Sequence, residues 1–265
     1  MKIVIPAAGY ATRLGELTED IPKHLLEIGG KPMINYLISG IEKLSINEVF
    51  LVTNAKFYNQ FLAWRDSLDT SLNIEIINDN TVSNKDRLGT VGDIHFAIKE
   101  AGIDDDILII AGDNLYFENG IGYNLRPFLH SFSKLEGMAG VIGLFDVKSL
   151  EIAKQMNQMT FALGEVPMAN EEVQILSMVE KDPNPKSTLI AVMIEAYPRA
   201  VIKYLKEYLD ENVKNPEARD KIGNFRSWLL AKKKFPIYGY HLPGQWFDIG
   251  LVETLKQARE FYKNK

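Results

Sequence analysis

The fold is decided by the first stretch of the chain, MKIVIPAAGYATRLGELTEDIPKHLLEIGGKP, residues 1–32. Lys2–Pro6 is a short apolar run rich in β-branched side chains and closed by a proline, which reads as a strand. It leads directly into Ala7, Ala8 and Gly9, residues small enough to let backbone N–H groups approach a ligand closely. A turn of exposed amides makes a concavity for anions. Behind it, ten positions apart, stand Arg13 and Lys23. Arginine can fork onto phosphate oxygens, whereas lysine supplies a compact mobile charge. The plain alternative is a tight turn followed by a surface arginine and lysine. The stretch is neither a G-x-x-x-x-G-K-[ST] phosphate loop nor the dinucleotide fingerprint, because Ala11 and Leu14 stand where that fingerprint's later glycines belong.

Downstream, strand and helix patterns alternate. PMINYLISGIEKL carries Ile34, Leu37, Ile38, Ile41 and Leu44 at helical spacing; EVFLVT and NIEIIND read as strands; AKFYNQFLAWRDSL and TVGDIHFAIKEAG read as helices. DILIIAGDN is apolar at every position from Ile107 to Ala111, as a strand covered on both faces must be. This alternation predicts an α/β fold with a doubly wound, mostly parallel sheet and right-handed crossovers. Ligands in such sheets bind beyond the carboxyl ends of the strands, which is where the Ala7–Gly9 turn leaves the first one. The second half is less regular. MAGVIGLFDV, QMTFALG, VQILSMVEK, TLIAVMIEAY and FPIYGYHLP predict strands that extend the sheet with antiparallel pairing, and AVIKYLKEYLDENV, NFRSWLLAKK and VETLKQAREFYKN predict helices. No repeat, low-complexity tract or long linker divides the chain, so a single domain over residues 1–265 is expected.

Bulk properties narrow the function. A net charge of −5 argues against a dedicated nucleic-acid binder, which needs clustered cations. The chain has no cysteine, so disulfides, zinc ribbons and thiolate nucleophiles are out. No apolar run approaches the ~18 residues of a membrane span, and the N-terminus has no signal-peptide pattern, so a cytoplasmic protein is expected. Asp104–Asp106 read as a solvated turn, and the four histidines show no metal-ligand spacing. Phe57, Tyr58, Phe61 and Trp64 read as the packing face of a helix.

AAGYATRL followed by PKHLLEIGGKP resembles the signature of the sugar-phosphate nucleotidyltransferases, a Gly-x-Gly-Thr-Arg-Leu loop followed by Pro-Lys and Lys-Pro. Gly9, Thr12, Arg13, Leu14, Lys23, Lys31 and Pro32 fall at matching positions. Ala11 departs from the pattern, and alanine disfavours the positive φ that a glycine there would adopt. Further landmarks follow in order along the whole chain: LGTVGDIHFA at 88–97, IIAGDN ending in Asp113 and Asn114, VEKDPNPKS with Asp182 in place of a proline, and GQWFDIG around Asp248.

The resemblance implies a Rossmann-like nucleotidyltransferase fold, with residues 1–135 a nucleotide-binding half and 136–265 a sugar-phosphate-binding half. It implies that Ala7, Ala8, Gly9, Thr12, Arg13, Gly89, Thr90 and Gly112 surround the nucleotide. Asp113 and Asp248 would hold Mg²⁺, which takes one or two carboxylates plus phosphates and water. Arg13, Lys23, Asp113 and Asp248 would then be the catalytic set, with Glu180 on a sugar hydroxyl and Lys181 on the sugar phosphate. Read singly, each of these residues has a blander role: Asp113 as a turn residue, Asp248 as a helix cap, Glu180–Lys181 as a solvated pair.

The implied activity joins a nucleoside triphosphate to a sugar 1-phosphate, giving a nucleotide sugar and pyrophosphate, as glucose-1-phosphate thymidylyl- or uridylyltransferases do. Three alternatives stay open. One is CTP- or GTP-dependent transfer to phosphocholine, mannose phosphate or heptose phosphate. Another is a catalytically inactive regulatory relative, although all four charges are present. The third, a nicotinamide-dependent dehydrogenase, is disfavoured by the broken glycine fingerprint. Relatives often form dimers or tetramers, so the resemblance also implies a homo-oligomer. The sequence stops soon after WFDIG, which predicts that no β-helix acyltransferase domain is appended.

Overall fold

A computed structural model describes residues 1–118, 122–155, 160–161, 168–179 and 183–263. The strands are β1 (Lys2–Pro6), β2 (Glu27–Ile28), β3 (Lys31–Pro32), β4 (Glu48–Thr53), β5 (Asn73–Asn78), β6 (Ile107–Ile110), β7 (Asn114–Phe117), β8 (Gly140–Asp146), β9 (Thr160–Phe161), β10 (Glu172–Ile175), β11 (Met178–Val179), β12 (Leu189–Tyr197), β13 (Ile237–His241) and β14 (Gln245–Asp248). The helices are α1 (Ile34–Ile41), α2 (Tyr58–Asp66), α3 (Thr90–Glu100), α4 (Arg126–Lys134), α5 (Leu150–Gln155), α6 (Ile202–Glu211), α7 (Pro216–Asp220), α8 (Ile222–Ala231) and α9 (Val252–Lys263). The fold is α/β, with mostly parallel sheet, flanking helices and antiparallel additions. No helix among the described residues is long and apolar enough to cross a membrane.

The chain forms two compact units. The first contains residues 2–87, 110–125 and 244–265. Its part of the sheet runs β1-β4-β5 with every pair parallel, Ile3 opposite Val49 and Val49 opposite Ile74. Ile3, Val4 and Ile5 are fully buried, as are Val49, Leu51 and Val52, which is why these strands are apolar on both faces. Phe57, Phe61 and Trp64 are buried where α2 packs, as the helical spacing predicted, and Tyr58 is half-buried. Away from the sheet, β7 and β14 form an antiparallel ladder of their own, with Asp248 opposite Asn114.

The second unit contains residues 88–109 and 126–243, together with Met1. Its strands run β10-β13-β8-β12-β6. β13 pairs with β8 in parallel, whereas β12 pairs with β8 and β10 with β13 in antiparallel fashion, the expected antiparallel extension. Glu195 of β12 forms a buried ion pair with Arg226 of α8, and Tyr197 donates to the same carboxylate at 2.8 Å. The aspartates expected to form a solvated turn do more. Asp106 accepts the backbone N–H of Arg199 at 2.8 Å, and Asp104 pairs with its guanidinium.

Candidate active site

The first unit carries the opening turn. The β1–β4 ladder continues past Pro6, with Ala7 N–H donating to Val52 C=O at 2.8 Å. Asn54, fully buried just after β4, donates through Nδ2 to the Ala8 carbonyl at 2.8 Å and accepts the Phe57 N–H at 3.1 Å. A trans peptide points its C=O and the next N–H in opposite directions. By holding the Ala8 carbonyl inward, Asn54 turns the Gly9 N–H away from the core, towards the open side of the turn.

Ala11 adopts φ 47°, ψ 35°, the left-handed conformation that the glycine of the family pattern would take without strain. Its carbonyl is held by Leu14 N–H at 3.0 Å and Thr18 Oγ1 at 3.0 Å, which offsets that strain. A 3₁₀ segment then runs from Thr12 to Thr18. Leu14 is buried in it while Arg13, next door, is exposed.

Lys23 follows Pro22, whose ψ of 139° throws the chain into a single 3₁₀ turn. Its ammonium pairs with Asp113 Oδ2, while Asp113 Oδ1 accepts from Asn114 Nδ2 at 2.8 Å. Burial, the largest single influence, pushes the Asp113 carboxyl up, but the Lys23 charge and hydrogen bond, with His24 and a backbone N–H, together hold the group below its usual range. Asp248 differs. It lies across the ladder from Asn114, and Ile249 N–H donates to Asp113 C=O at 3.2 Å, so the two aspartates are neighbours. Burial and then the Asp113 charge push Asp248 up to about 6, against the pull of Lys23 and Arg13.

Gly250 completes the corner. A Cβ there would lie 3.4 Å from Asp248 Oδ1 and 3.7 Å from Arg13 Nη2. Two carboxylates and two cations from three remote stretches of the chain thus share one corner of the first unit. Asp248 does not cap α9; Thr254 Oγ1 takes up the Leu251 N–H at 3.3 Å instead.

The two acids are set against each other, which an added cation would relieve. Among the described residues no third His, Asp or Glu joins them. That donor set fits a hard divalent ion drawing its remaining ligands from phosphates and water.

What fixes the corner is a core the sequence did not advertise. Leu14, Leu26, Ile28, Leu115, Ile249 and Leu255 pack together with Tyr262, and the rings of Phe117 and Phe247 lie 5.1 Å and 5.3 Å from Phe261. These side chains flank Arg13, Asp113 and Asp248 in sequence, so packing them together aligns the charges. His24 is a second feature the sequence reading passed over. It is buried beside the Phe61 ring at 5.8 Å, and burial, aided by Lys23 and opposed by Asp113, lowers it to about 4, so it is neutral at pH 7. Gly112 makes room for it: a Cβ at 112 would sit 2.8 Å from His24 Cδ2. A glycine one residue before the acid and a histidine one residue after the lysine were the available signals.

Of the residues singled out from the sequence, Ala7, Ala8, Gly9, Thr12, Arg13, Lys23, Gly112, Asp113 and Asp248 all belong to the first unit. Gly89 and Thr90 belong to the second, where Gly89, at φ 79°, caps α3. A Cβ on Gly89 would lie 2.7 Å from Arg219 C=O, so only glycine fits. Glu180 and Lys181 lie outside the described residues.

A family model described as nucleotidyl transferase matches residues 2–265. This chain belongs to that family. Glucose-1-phosphate adenylyltransferase of Fusobacterium nucleatum is 27% identical over 96% of this chain and 65% of its own length. Glucose-1-phosphate thymidylyltransferase of Mycolicibacterium smegmatis is 23% identical over 99% of this chain and 82% of its own. The chain therefore spans less than two thirds of the adenylyltransferase. The crystal structure of apo UDP-glucose pyrophosphorylase superposes with a TM-score of 0.82 at 18% identity, covering 99% of this chain and 98% of that one. At that identity the likeness establishes the nucleotidyltransferase fold. The family reading of the opening stretch is thus borne out.

Proposed function

We propose that this nucleotidyl transferase family member joins a nucleoside triphosphate to a sugar 1-phosphate, releasing pyrophosphate. The observation that carries the reading is the pairing of Asp113 and Asp248 beside Arg13 and Lys23. Such a corner suits two polyanions that must be brought together, where charge repulsion and alignment are the obstacles. A phosphate nucleophile is already ionised at neutral pH, so positioning and electrostatic stabilisation supply the acceleration and no general base is required. His24, neutral and buried behind Lys23, is consistent with that.

The turn from Ala7 to Ala11 would receive the triphosphate on outward amides, with Arg13 offsetting the charge that leaves with pyrophosphate. Lys23 would stabilise charge gathering at the α-phosphate, its position fixed by Asp113 and by the packing of His24. Gly89 and Thr90 would lie along the nucleotide, and Glu180 and Lys181 would hold the sugar phosphate. Mg²⁺, held by Asp113 and Asp248, would supply charge neutralisation to the phosphates when bound.

Pyrophosphate release, assayed across four triphosphates and several sugar phosphates with phosphocholine included, identifies the pair. Removing one preorganised charge costs on the order of 10²–10³ in rate. Asp113→Asn, Asp248→Asn and Lys23→Ala should therefore each be severely impaired, and near wild-type turnover in all three would overturn the assignment.

A further inference from the structure

The second unit holds a cavity of about 290 Å³ bounded by α3, α6 and the segment of α7. Its wall on α3 is the stripe Gly92, His95 and Lys99, opposite the helix face that buries Val91, Ile94 and Ile98. Lys206 and Asp210 face it from α6 and form an ion pair with each other at 2.5 Å. Arg219 faces it from α7. Among the described residues neither Lys99 nor Arg219 forms an ion pair, and Arg219 Nε is buried with no hydrogen-bond partner. Two positive charges are thus left uncompensated in a chain whose net charge is −5.

His95 registers the field of the two lysines. Burial lowers its pKa first, Lys206 and Lys99 lower it further, and only Asp210 opposes them. The backbone that presents Arg219 is also held in place before any ligand arrives. The tight approach of its backbone to Gly89, the Asn215 cap on Ala218 N–H at 3.2 Å and the Tyr208 hydroxyl on Ala218 C=O at 2.7 Å fix the turn that presents it. Phe96 and Leu209 give the same cavity an apolar side. A guanidinium on a fixed turn, a free ammonium and an imidazole beside an apolar wall match a dianionic head attached to a compact apolar group.

We propose that this cavity is a binding site for a small phosphate monoester, with its phosphoryl group on Arg219, Lys99 and His95 and its organic part against Phe96 and Leu209. None of these residues belongs to the Asp113–Asp248 corner, and the proposal does not depend on the transfer reaction.

The test is a titration of the wild-type chain with phenyl phosphate, and separately with inorganic phosphate, at pH 8, following the imidazole signals of His95 and His24 by NMR. His24 lies beside Lys23 and reports anions at the first unit's corner; His95 reports this cavity. The expected result is a saturable shift of His95 with both probes, tighter for phenyl phosphate, and tenfold or greater weakening in both Lys99→Gln and Arg219→Gln. Lys99 is exposed on its helix, so Lys99→Gln gives a folded control should Arg219→Gln fail. Shifts confined to His24, or an affinity at His95 unchanged in Lys99→Gln, would overturn the proposal. Loss of turnover in the aspartate variants bears on the transfer reaction alone.

Discussion

Replacing Asp248 by asparagine should make the metal-free protein more stable, and the gain should depend on pH. The carboxyl moves from a usual 3.8 to about 6 on folding, because it is buried against the Asp113 charge. A group raised in this way leaves stability intact below 3.8 and erodes it as pH rises through about 6, since the folded state must then hold an anion it disfavours. At about 1.4 kcal/mol per pH unit between the two values, the ionised carboxylate costs at most about 3 kcal/mol at pH 8 and about half that at pH 5. The Lys23 and Arg13 attractions are already inside that net value, and residual contact with water makes it a ceiling.

Asparagine keeps the shape of the protonated acid and removes the penalty. For a chain of this size about 3 kcal/mol corresponds to a rise of about 6 °C in Tm. Thermal melts in EDTA at pH 8 and pH 5 would read it. Asp113→Asn should do the opposite: its pKa is lowered by Lys23, so its contribution is present above 3.8, and removing it at pH 7 should destabilise the fold. Equal Tm changes for Asp248→Asn at the two pH values, or two aspartate variants that shift Tm in the same direction, would refute the reasoning.

Gly112→Ala would place a methyl 2.8 Å from His24 Cδ2 and 3.0 Å from Ile5 Cγ2. The overpacking should cost about 1–3 kcal/mol, and displacement of the adjacent Lys23 should lower kcat on the order of 10²-fold, checked by urea melts and steady-state rates. Asn54→Ala leaves the Ala8 carbonyl without its donor, at about 1–3 kcal/mol. The KM for the triphosphate should rise more than kcat falls, and an unchanged KM would argue against Asn54 orienting the turn. Ala11→Gly relieves a left-handed alanine, so chemical denaturation should show a gain of up to about 1 kcal/mol after the extra freedom of the unfolded glycine is subtracted. A glycine variant less stable than the wild type would contradict the strain at this position.

The sequence by itself determined the alternation of strands and helices, since that pattern is local: β4 coincides with EVFLVT, and β6 falls within the run that is apolar at every position. It also fixed the small-residue turn and named the four charges, because their spacing along the chain is what the family pattern records. It did not announce β7 and β14 as a paired ladder, for register between segments more than a hundred residues apart is set by packing and not by either segment's own pattern. Only the tertiary structure decided that Asp248 stands beside Asp113 while Lys23 reaches the latter, which leaves one acid easy to ionise and the other resistant. A carboxylate's pKa comes from burial and from neighbouring charges, and both exist only once distant segments have packed together.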